Sequence, residues 1–518
     1  MEDEEHEDLL IRASSDNEDF TDNEDAFASS RRSYLQHENL YSLCFERIKF
    51  ICLGIVLVLS STALLILLPL YLETVNVYSD AYTMLVFICF VTTVIILLMG
   101  CLLGRLLNQL KVMLSIPFSL SRVYRFGLAY GLGGFLLLYA VDRKRVMCHL
   151  QDPIKGIVLV FSLVYYFFFC KKMMGLQQIF CSTTIVVGLF VSVDYGLCDE
   201  FRCRGNEREH RSEDAGPWSW QVHSLWTVLY IVALALWTLH STLLEGFLVM
   251  QQGILYMGPG SSLLSTVSRL VSTRDSSSST VRHSRPLLQA TEEDGDFSSL
   301  PQSQSERNTA VLDQHRQVAY MKPLVITGSR PSAISIALWI HIVSLQLLIA
   351  LCWTDMIPSF GKGSSASEFW SFFTSGFLCH FGVQSNNAHN GTNMISLETE
   401  TCKQMALYAW PFIISYTVFS LSFVQFLIIS ESSVFTVAMT TAALPLGSIW
   451  WSIFRMAPLE STNLQNLLQW SPSVTGELIC SILGLPVVVV GLAILYKSHF
   501  QDNVLGKPIG RLPTTGVA

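Results

Sequence analysis

The sequence predicts an all-α membrane protein with ten transmembrane helices, and three observations support this fold class. Of the 518 residues, 51% are hydrophobic and only 14% are charged, and the mean hydropathy is +0.42. Ten separate stretches each provide the roughly 20 apolar residues that a helix needs to cross the hydrocarbon core of a bilayer. The net charge of -8 comes largely from the acidic first thirty residues, so it says little about the apolar part of the chain.

The first element, residues 1–44, is predicted to be a disordered acidic tail on the cytosolic side, because it has too few apolar residues to bury a core. It lacks the features of a secretory signal peptide, so the first span is expected to direct membrane insertion. Glu5, Leu9 and Leu10 fit the acidic dileucine pattern that clathrin-adaptor type sorting proteins read in endosomal and lysosomal proteins. The alternative interpretation is a chance pair of leucines in acidic disorder.

The next elements are the ten apolar stretches, and their number and flanking charges predict a topology. An even number of spans puts both termini on one side, and Arg47, Lys49, Lys171 and Lys172 favour the cytosol for that side. The predicted spans are 48–72, 80–103, 121–141, 150–170, 173–194, 222–251, 332–353, 405–429, 432–456 and 475–496.

The polar segments between the spans define the predicted domain organisation. The first part, 45–252, holds spans one to six and a lumenal loop at 195–221, and the Ser-rich segment 253–330 is a disordered cytosolic linker. The last parts are 331–498, with spans seven to ten and a lumenal loop at 354–404, and a cytosolic tail at 499–518. We interpret the linker as the midpoint between five spans and five spans. Two halves with an odd number of helices have opposite orientations, so two inverted five-helix repeats are predicted, as in many secondary transporters.

The lumenal loop at 354–404 carries signals of an oxidising compartment. Cys379 and Cys402 enclose the sequon that begins at Asn390, so we predict a disulfide and a glycosylated asparagine. Two unpaired thiols are the alternative, and Cys198 with Cys203 is a second possible bridge in the loop 195–221. The stretch 366–378 is predicted to be an amphipathic helix with its aromatic side chains in lipid. These aromatic residues are Phe369, Phe372, Phe373 and Phe377.

Several stretches of the apolar part resemble the chloroquine resistance transporter family, a branch of the drug/metabolite transporter superfamily. The resemblance lies in the order "EFWSFFTSGFLC", a cysteine-bounded loop, "LYAWPFIISYTVFSLSFVQFLIISESSVFTVAMTTAALPLGSIWWSIF" and a last span ending in "VVVVGLAILYKS". The stretch "GLQQIFCSTTIVVGLFVSV" resembles the corresponding end of the first half. The resemblance implies the drug/metabolite transporter fold and export of amino acids, short peptides, thiol peptides or cationic amphiphiles, driven by protons.

No motif in the sequence points to catalysis, a metal, a cofactor or nucleic acid, so the protein is predicted not to be an enzyme. His380 and His389 lie near the lumenal cysteines, but their spacing fits no zinc pattern, and they are interpreted as solvated loop residues. His341 is interpreted as a local packing residue. The expected partners are a small solute, protons, membrane lipids and sorting adaptors.

Charged residues in or beside the spans are the candidate sites, because charge is costly in a membrane. The turn between spans three and four is the densest group, and its residues are expected either to line the lumenal mouth and attract a charged solute or to form a solvated, self-neutralising turn. The candidates in this turn are Asp142, Arg145, His149, Asp152 and Lys155. Glu245 in span six is either the proton-coupling carboxylate or an interfacial side chain that snorkels to water, and His149 is the second candidate for coupling.

These observations predict a proton-coupled secondary transporter in the lysosomal or late endosomal membrane that exports small organic solutes to the cytosol. A Golgi or endosomal nucleotide-sugar or metabolite exchanger is one alternative. A membrane scaffold that acts through its cytosolic tail and linker, without transport, is the other.

Overall fold

The computed structural model describes most of the apolar part of the chain. The described residues are 45, 47–76, 79–107, 120–170, 175–192, 218–256, 332–357, 360–361, 365–383, 394–456, 467–474 and 476–504. Glu5, Leu9, Leu10, Cys198, Cys203, His389 and Asn390 lie outside these residues, as does the side chain of His149. The predictions made for them therefore stay predictions.

Thirteen α-helices are present in the described residues, and several of them are consecutive pieces of one predicted span. The first seven are α1 (Arg47–Asn76), α2 (Ala81–Leu106), α3 (Leu120–Val141), α4 (Cys148–Gly156), α5 (Val158–Tyr165), α6 (Leu176–Ser192) and α7 (Trp220–Tyr256). The other six are α8 (Ala333–Ala350), α9 (Ala366–Cys379), α10 (Met394–Ser430), α11 (Ser433–Thr441), α12 (Ala443–Ile453) and α13 (Gly476–Val504). Short helical turns follow α3 at Asp142–Lys144, α5 at Tyr166–Cys170 and α8 at Cys352–Met356.

Nine helical segments of the described chain are long and apolar enough to cross a membrane, and they coincide with nine of the ten predicted spans. The protein is therefore an all-α, multi-pass membrane protein. The remaining predicted span corresponds to α6, an apolar helix of 17 residues. Of these ten segments, six precede the segment 253–330 and four follow it. The interpretation of that segment as a midpoint between five and five spans was therefore wrong.

The ninth span ends earlier than predicted because the chain changes from helix to strand at Phe454. Strand β1 (Phe454–Met456) pairs antiparallel with β2 (Leu468–Trp470), and Arg455 lies opposite Gln469. The rings of Phe454 and Trp470 meet edge to face with their centroids 5.1 Å apart. This hairpin follows α12 and precedes α13.

Helices α6 and α13 pack closely along small residues. A Cβ atom on Gly484 would lie 2.6 Å from the carbonyl oxygen of Gly188, so only glycine allows this approach of the two backbones. Near this contact the hydroxyl of Ser481 donates to the carbonyl oxygen of Ser192 at 3.1 Å. The close contact positions the fifth predicted span against the tenth.

The disulfide between Cys379 and Cys402 is confirmed, and it ties the end of α9 to α10 with 4.8 Å between the Cα atoms. We call the end of the helical bundle where this disulfide lies the bridge end. The nearby His380 is fully buried, donates to or accepts from the hydroxyl of Tyr71 at 2.8 Å, and stacks on Phe87. Its interpretation as a solvated loop residue was wrong, and burial lowers its pKa to about 3.

Helix α9 is present as predicted, but most of its aromatic side chains face protein rather than lipid. Phe369 lies against Tyr82 with 5.8 Å between the ring centroids, and Phe377 meets Phe87 edge to face at 5.3 Å. Phe373 packs in the same cluster, whereas Phe372 is 48% exposed. The physical reason is that the disulfide and α2 hold this helix against the bundle, so its aromatic row completes the apolar core.

The chain divides into two compact units. The first contains Met1–Glu245 and Pro331–Ala518, and the second is Gly246–Arg330. Within the second unit, the described residues are 246–256, the last turns of α7.

Candidate solute cavity

A cavity of about 300 Å³ lies inside the first unit. Its walls come from helices before and after the segment 253–330, namely α1, α2, α3, α4, α5, α7, α10, α11 and α12. Most of the lining is aliphatic or aromatic, and the aromatic side chains are Tyr230, Trp237, Phe412, Tyr416, Phe419 and Trp451. Besides the two tyrosine hydroxyl groups, four serine and threonine hydroxyl groups add hydrogen-bonding capacity, those of Ser61, Thr440, Thr441 and Ser448. A cavity of this size and character suits a small organic molecule with a large apolar part.

Two predicted site residues, Asp152 and Lys155, line this cavity. They lie one turn apart on α4, and the Lys155 ammonium donates to Asp152 Oδ1 at 2.7 Å. The side chain of Asp152 is 40% exposed and that of Lys155 is 21% exposed, so both keep capacity for other partners. Within the described part of the chain they are the charged members of the lining. A carboxylate and an ammonium side by side can bind the amino and carboxylate groups of a zwitterion.

Arg145, another predicted site residue, is fully buried at the bridge end and does not line the cavity. Its guanidinium donates to the carbonyl oxygens of Tyr139 at 2.9 Å and Phe360 at 2.7 Å, and it lies 4.6 Å above the ring of Trp226. These contacts join α3, α7 and the segment after α8. Burial lowers the pKa of Arg145, and the nearby Asp142 carboxylate opposes that shift.

The acidic residues around Arg145 are buried as well. Asp142 is 1% exposed and lies 3.6 Å from the Arg145 guanidinium, and Arg143 pairs at 3.1 Å with Asp80, the residue before α2. The interpretation of this turn as a solvated, self-neutralising loop was therefore wrong for Asp142 and Arg145. Neither residue is exposed to attract a solute, because the helix ends and the aromatic rings enclose them. We call this group of charges the bridge-end cluster and define it as Asp80, Asp142, Arg143, Arg145 and Asp355.

Asp355 gives the bridge-end cluster one more carboxylate than it has guanidinium groups. Tyr139 donates its hydroxyl to Asp355 Oδ1 at 3.2 Å, and the Asp355 side chain is buried. Burial, and then the charge of Asp80, raise the pKa of Asp355 from 3.8 to about 6. Asp355 therefore changes its protonation between the pH of an acidic organelle and that of the cytosol.

This raised pKa predicts a pH-dependent stability. Between the ordinary pKa and about 6, folded Asp355 binds more protons than unfolded Asp355, so its contribution to stability increases as pH falls. We expect the thermal unfolding midpoint to rise as the pH is lowered from 7.5 to 5. Asp355→Asn should remove the part of this rise that comes from protonation of Asp355.

Tyr139→Phe provides the matched variant for this measurement. It removes a hydrogen bond that lowers the pKa of Asp355, so the pH range over which the unfolding midpoint rises should shift to higher pH. A wild-type and an Asp355→Asn protein with the same pH profile would contradict the assignment. The measurement is scanning fluorimetry of the detergent-solubilised protein across this range.

Glu245 lies at the opposite end of the bundle and is 2% exposed. Its Oε2 accepts hydrogen bonds from the backbone N–H of Ser433 at 2.9 Å and from the hydroxyl of Ser433 at 2.6 Å. Ser433 is the first residue of α11, so the carboxylate occupies the positive end of that helix. The alternative that Glu245 snorkels to the interface was wrong, because this partner holds it inside the protein.

Sequence reasoning missed a polar aromatic cluster that adjoins the cavity. The hydroxyl groups of Tyr130 and Tyr416 are 2.7 Å apart, and His341 and His240 pack against these rings. His341 is fully buried, with Nδ1 hydrogen-bonded to the carbonyl oxygen of Ala337 at 2.8 Å, which agrees with its interpretation as a packing residue. The four residues come from four different helices, so no local sequence pattern places them together.

The described residues contain no group of three His, Cys, Asp or Glu side chains arranged to hold a metal ion. A comparison with protein-family models finds no match, and a comparison with curated proteins finds none either. The described structure is that of a multi-pass α-helical membrane protein with an internal cavity that carries one ion pair.

Proposed function

We propose that the protein is a proton-coupled secondary transporter that exports small organic solutes from the endolysosomal lumen to the cytosol. The cavity is the observation that carries this proposal. It is built by helices from both sides of the linker and lies at the interior of the helical bundle, where transporters bind their solutes. A cavity with a mostly apolar wall and one ion pair suits transport of a solute better than catalysis.

The order of helix contacts supports an inverted repeat. Three pairs of helices that lie five predicted spans apart are in contact: α2 with α8, α5 with α11, and α6 with α13. In addition, α3 (span three) contacts α8 (span seven). In an inverted repeat the equivalent pair is α10 (span eight) with α2 (span two), and these helices are also in contact. An axis that exchanges spans one to five with spans six to ten maps each of the first three pairs onto itself, and maps the α3–α8 contact onto the α10–α2 contact. We propose on this basis, and on the sequence resemblance, that the chain adopts the drug/metabolite transporter fold of the chloroquine resistance transporter family.

The chemistry of the cavity favours amino acids or short peptides as solutes. A zwitterion can exchange partners with the Asp152–Lys155 pair, its amino group binding the carboxylate and its carboxylate binding the ammonium. The apolar part of the solute then lies against rings such as Tyr416 and Trp237. A nucleotide sugar carries two phosphate charges, and Lys155 is the cation that the described lining offers them.

The ion pair predicts a solute-specific effect. In proteoliposomes loaded with a neutral amino acid or dipeptide, Lys155→Gln and Asp152→Asn should each lower counterflow of the zwitterion by roughly 10- to 100-fold, because each removes a hydrogen bond to a charged group. Ser61→Ala is the matched control, since it alters an uncharged group of the same cavity and should change counterflow by less than about fivefold.

The outcome tests both the site and the proposed function. If the wild type and both charge variants show equal counterflow, the Asp152–Lys155 ion pair does not recognise the solute. Counterflow of zwitterions and nucleotide sugars that never exceeds that of empty liposomes would contradict the transporter proposal.

A further inference from the structure

Two turns of the described chain share an unusual backbone. Arg143 and Lys144 have φ values of 50° and 53°, and Glu431 has a φ of 51°. These are the described non-glycine residues with positive φ, and they all lie in the turn after α3 or in the turn between α10 and α11. A side chain disfavours this conformation, so the surroundings must hold each turn in place.

The bridge-end turn is held by residues just before α2 and α7 and by the first turn of α7. Asp80 pairs with the Arg143 guanidinium at 3.1 Å, and Trp218 Nε1 donates to the carbonyl oxygen of Arg143 at 3.0 Å. His223 Nδ1 lies 2.7 Å from the carbonyl oxygen of Arg145 and completes this contact.

The turn at the opposite end is held by the same helix α7. Glu245 accepts both hydrogen bonds from Ser433, the residue that begins α11. The adjacent Ser430 hydroxyl is 3.1 Å from the hydroxyl of Thr436, which keeps the turn short. Helix α7 thus fixes both turns, at His223 and at Glu245, and these residues are about 33 Å apart along an α-helix.

The cavity lies between these two contacts. Tyr230, Leu234 and Trp237 line it, and all three fall between His223 and Glu245 on α7. In an inverted five-helix repeat, the turn after the third span and the turn after the eighth span are equivalent positions. The two turns therefore share three properties: a backbone with positive φ, a polar contact with α7, and equivalent positions in the proposed repeat.

We propose that these turns are the two gates of the cavity and that α7 closes each of them through its own polar contact. This proposal rests on the transporter function proposed above. Loosening the contact of one turn favours the state that is open at that end and disfavours the state that is open at the other end.

Gly134 provides a reporter for this proposal because it lines the cavity and a Cβ atom there has no neighbour within 4 Å. We would introduce Gly134→Cys and apply a membrane-impermeant methanethiosulfonate to one side of oriented vesicles at a time. Mass spectrometry of the peptide that contains residue 134 separates this cysteine from the native ones.

Ser433→Ala should raise labelling from the opposite side and lower it from the bridge-end side, and His223→Phe, which removes the contact of α7 with the carbonyl oxygen of Arg145, should do the reverse. Loss of one buried hydrogen bond predicts a change of about fivefold in the ratio of the two labelling rates. Trp218→Phe and Glu245→Gln are second variants for the two ends in case a first variant fails to fold. Ser481→Ala is the control, because it removes a buried hydrogen bond between α13 and α6 that involves no residue of either turn, and it should leave the ratio unchanged.

Labelling that changes equally on both sides, or that does not change in the turn variants, would overturn the proposal. A one-sided change in Ser481→Ala would overturn it as well, since general loosening would then explain the result. Labelling needs no solute, so it tests the gates independently of transport. One-sided shifts in labelling, in a protein that shows no counterflow, would support the two gates and contradict the transporter function. Counterflow by a protein whose labelling does not change in the turn variants would support the transporter function and contradict the gates.

Discussion

Arg145→Ala is expected to lower the free energy of unfolding by about 3–5 kcal/mol, which is a large fraction of the stability of a typical folded protein. The guanidinium is fully buried, donates to two backbone carbonyl groups and lies over the ring of Trp226. Its removal leaves Asp142 without its nearest buried cation on the same turn and leaves a space between three parts of the bundle. The measurement is the yield of monodisperse protein and its thermal unfolding midpoint.

Two other variants make this result specific. Arg145→Lys keeps the charge but cannot reproduce the planar pair of donors, so its unfolding midpoint should fall between those of the wild type and Arg145→Ala. Arg455→Ala changes an exposed arginine in β1 and should shift the free energy by less than about 0.5 kcal/mol. Equal stability of Arg145→Ala and Arg455→Ala would show that Arg145 does not hold the bridge end together.

Glu245→Gln is expected to separate solute exchange from the proton gradient. We propose that this buried carboxylate takes up a proton from the lumen and releases it to the cytosol as its contact with Ser433 opens and closes. Glutamine keeps the size of the side chain but cannot exchange a proton. Counterflow should therefore persist, whereas accumulation driven by a pH gradient should be lost.

The size of this effect follows from the gradient. Two pH units carry roughly 2.7 kcal/mol per proton, which supports about 100-fold accumulation with one proton per solute. Glu431→Gln is the control because it alters an exposed carboxylate in the neighbouring turn and should keep pH-driven uptake. If Glu245→Gln also keeps it, proton coupling lies elsewhere, and His149 becomes the candidate to test.

The sequence predicted the membrane-spanning helices well because their length and apolar composition are local properties. Nine of the ten predicted spans appear as long apolar helices, and the Cys379–Cys402 bridge is present. The end of the ninth span was missed because Phe454 and Trp470 are as apolar as a helix end but pair in a hairpin. Hydropathy alone does not distinguish these two structures.

The candidate site was predictable in its residue types but not in its contacts. Asp152 and Lys155 were found because two charges one turn apart beside a span are visible in the sequence, and both line the cavity. The partner of Glu245 was not predictable, since Ser433 lies 188 positions away. The aromatic rings of α9 also follow a lipid-facing pattern, and only the packing of α2 against that helix shows that Phe369, Phe373 and Phe377 are partly buried in the protein.

Uptake driven by a pH gradient tests the central claim most directly. Purified wild-type protein in liposomes at internal pH 7.5 would be placed in buffer at pH 5.5 with a labelled neutral amino acid or dipeptide. The account predicts accumulation above the external concentration, abolished by a protonophore and absent in Glu245→Gln. Uptake that only reaches the external concentration, at the rate of protein-free liposomes, would contradict it.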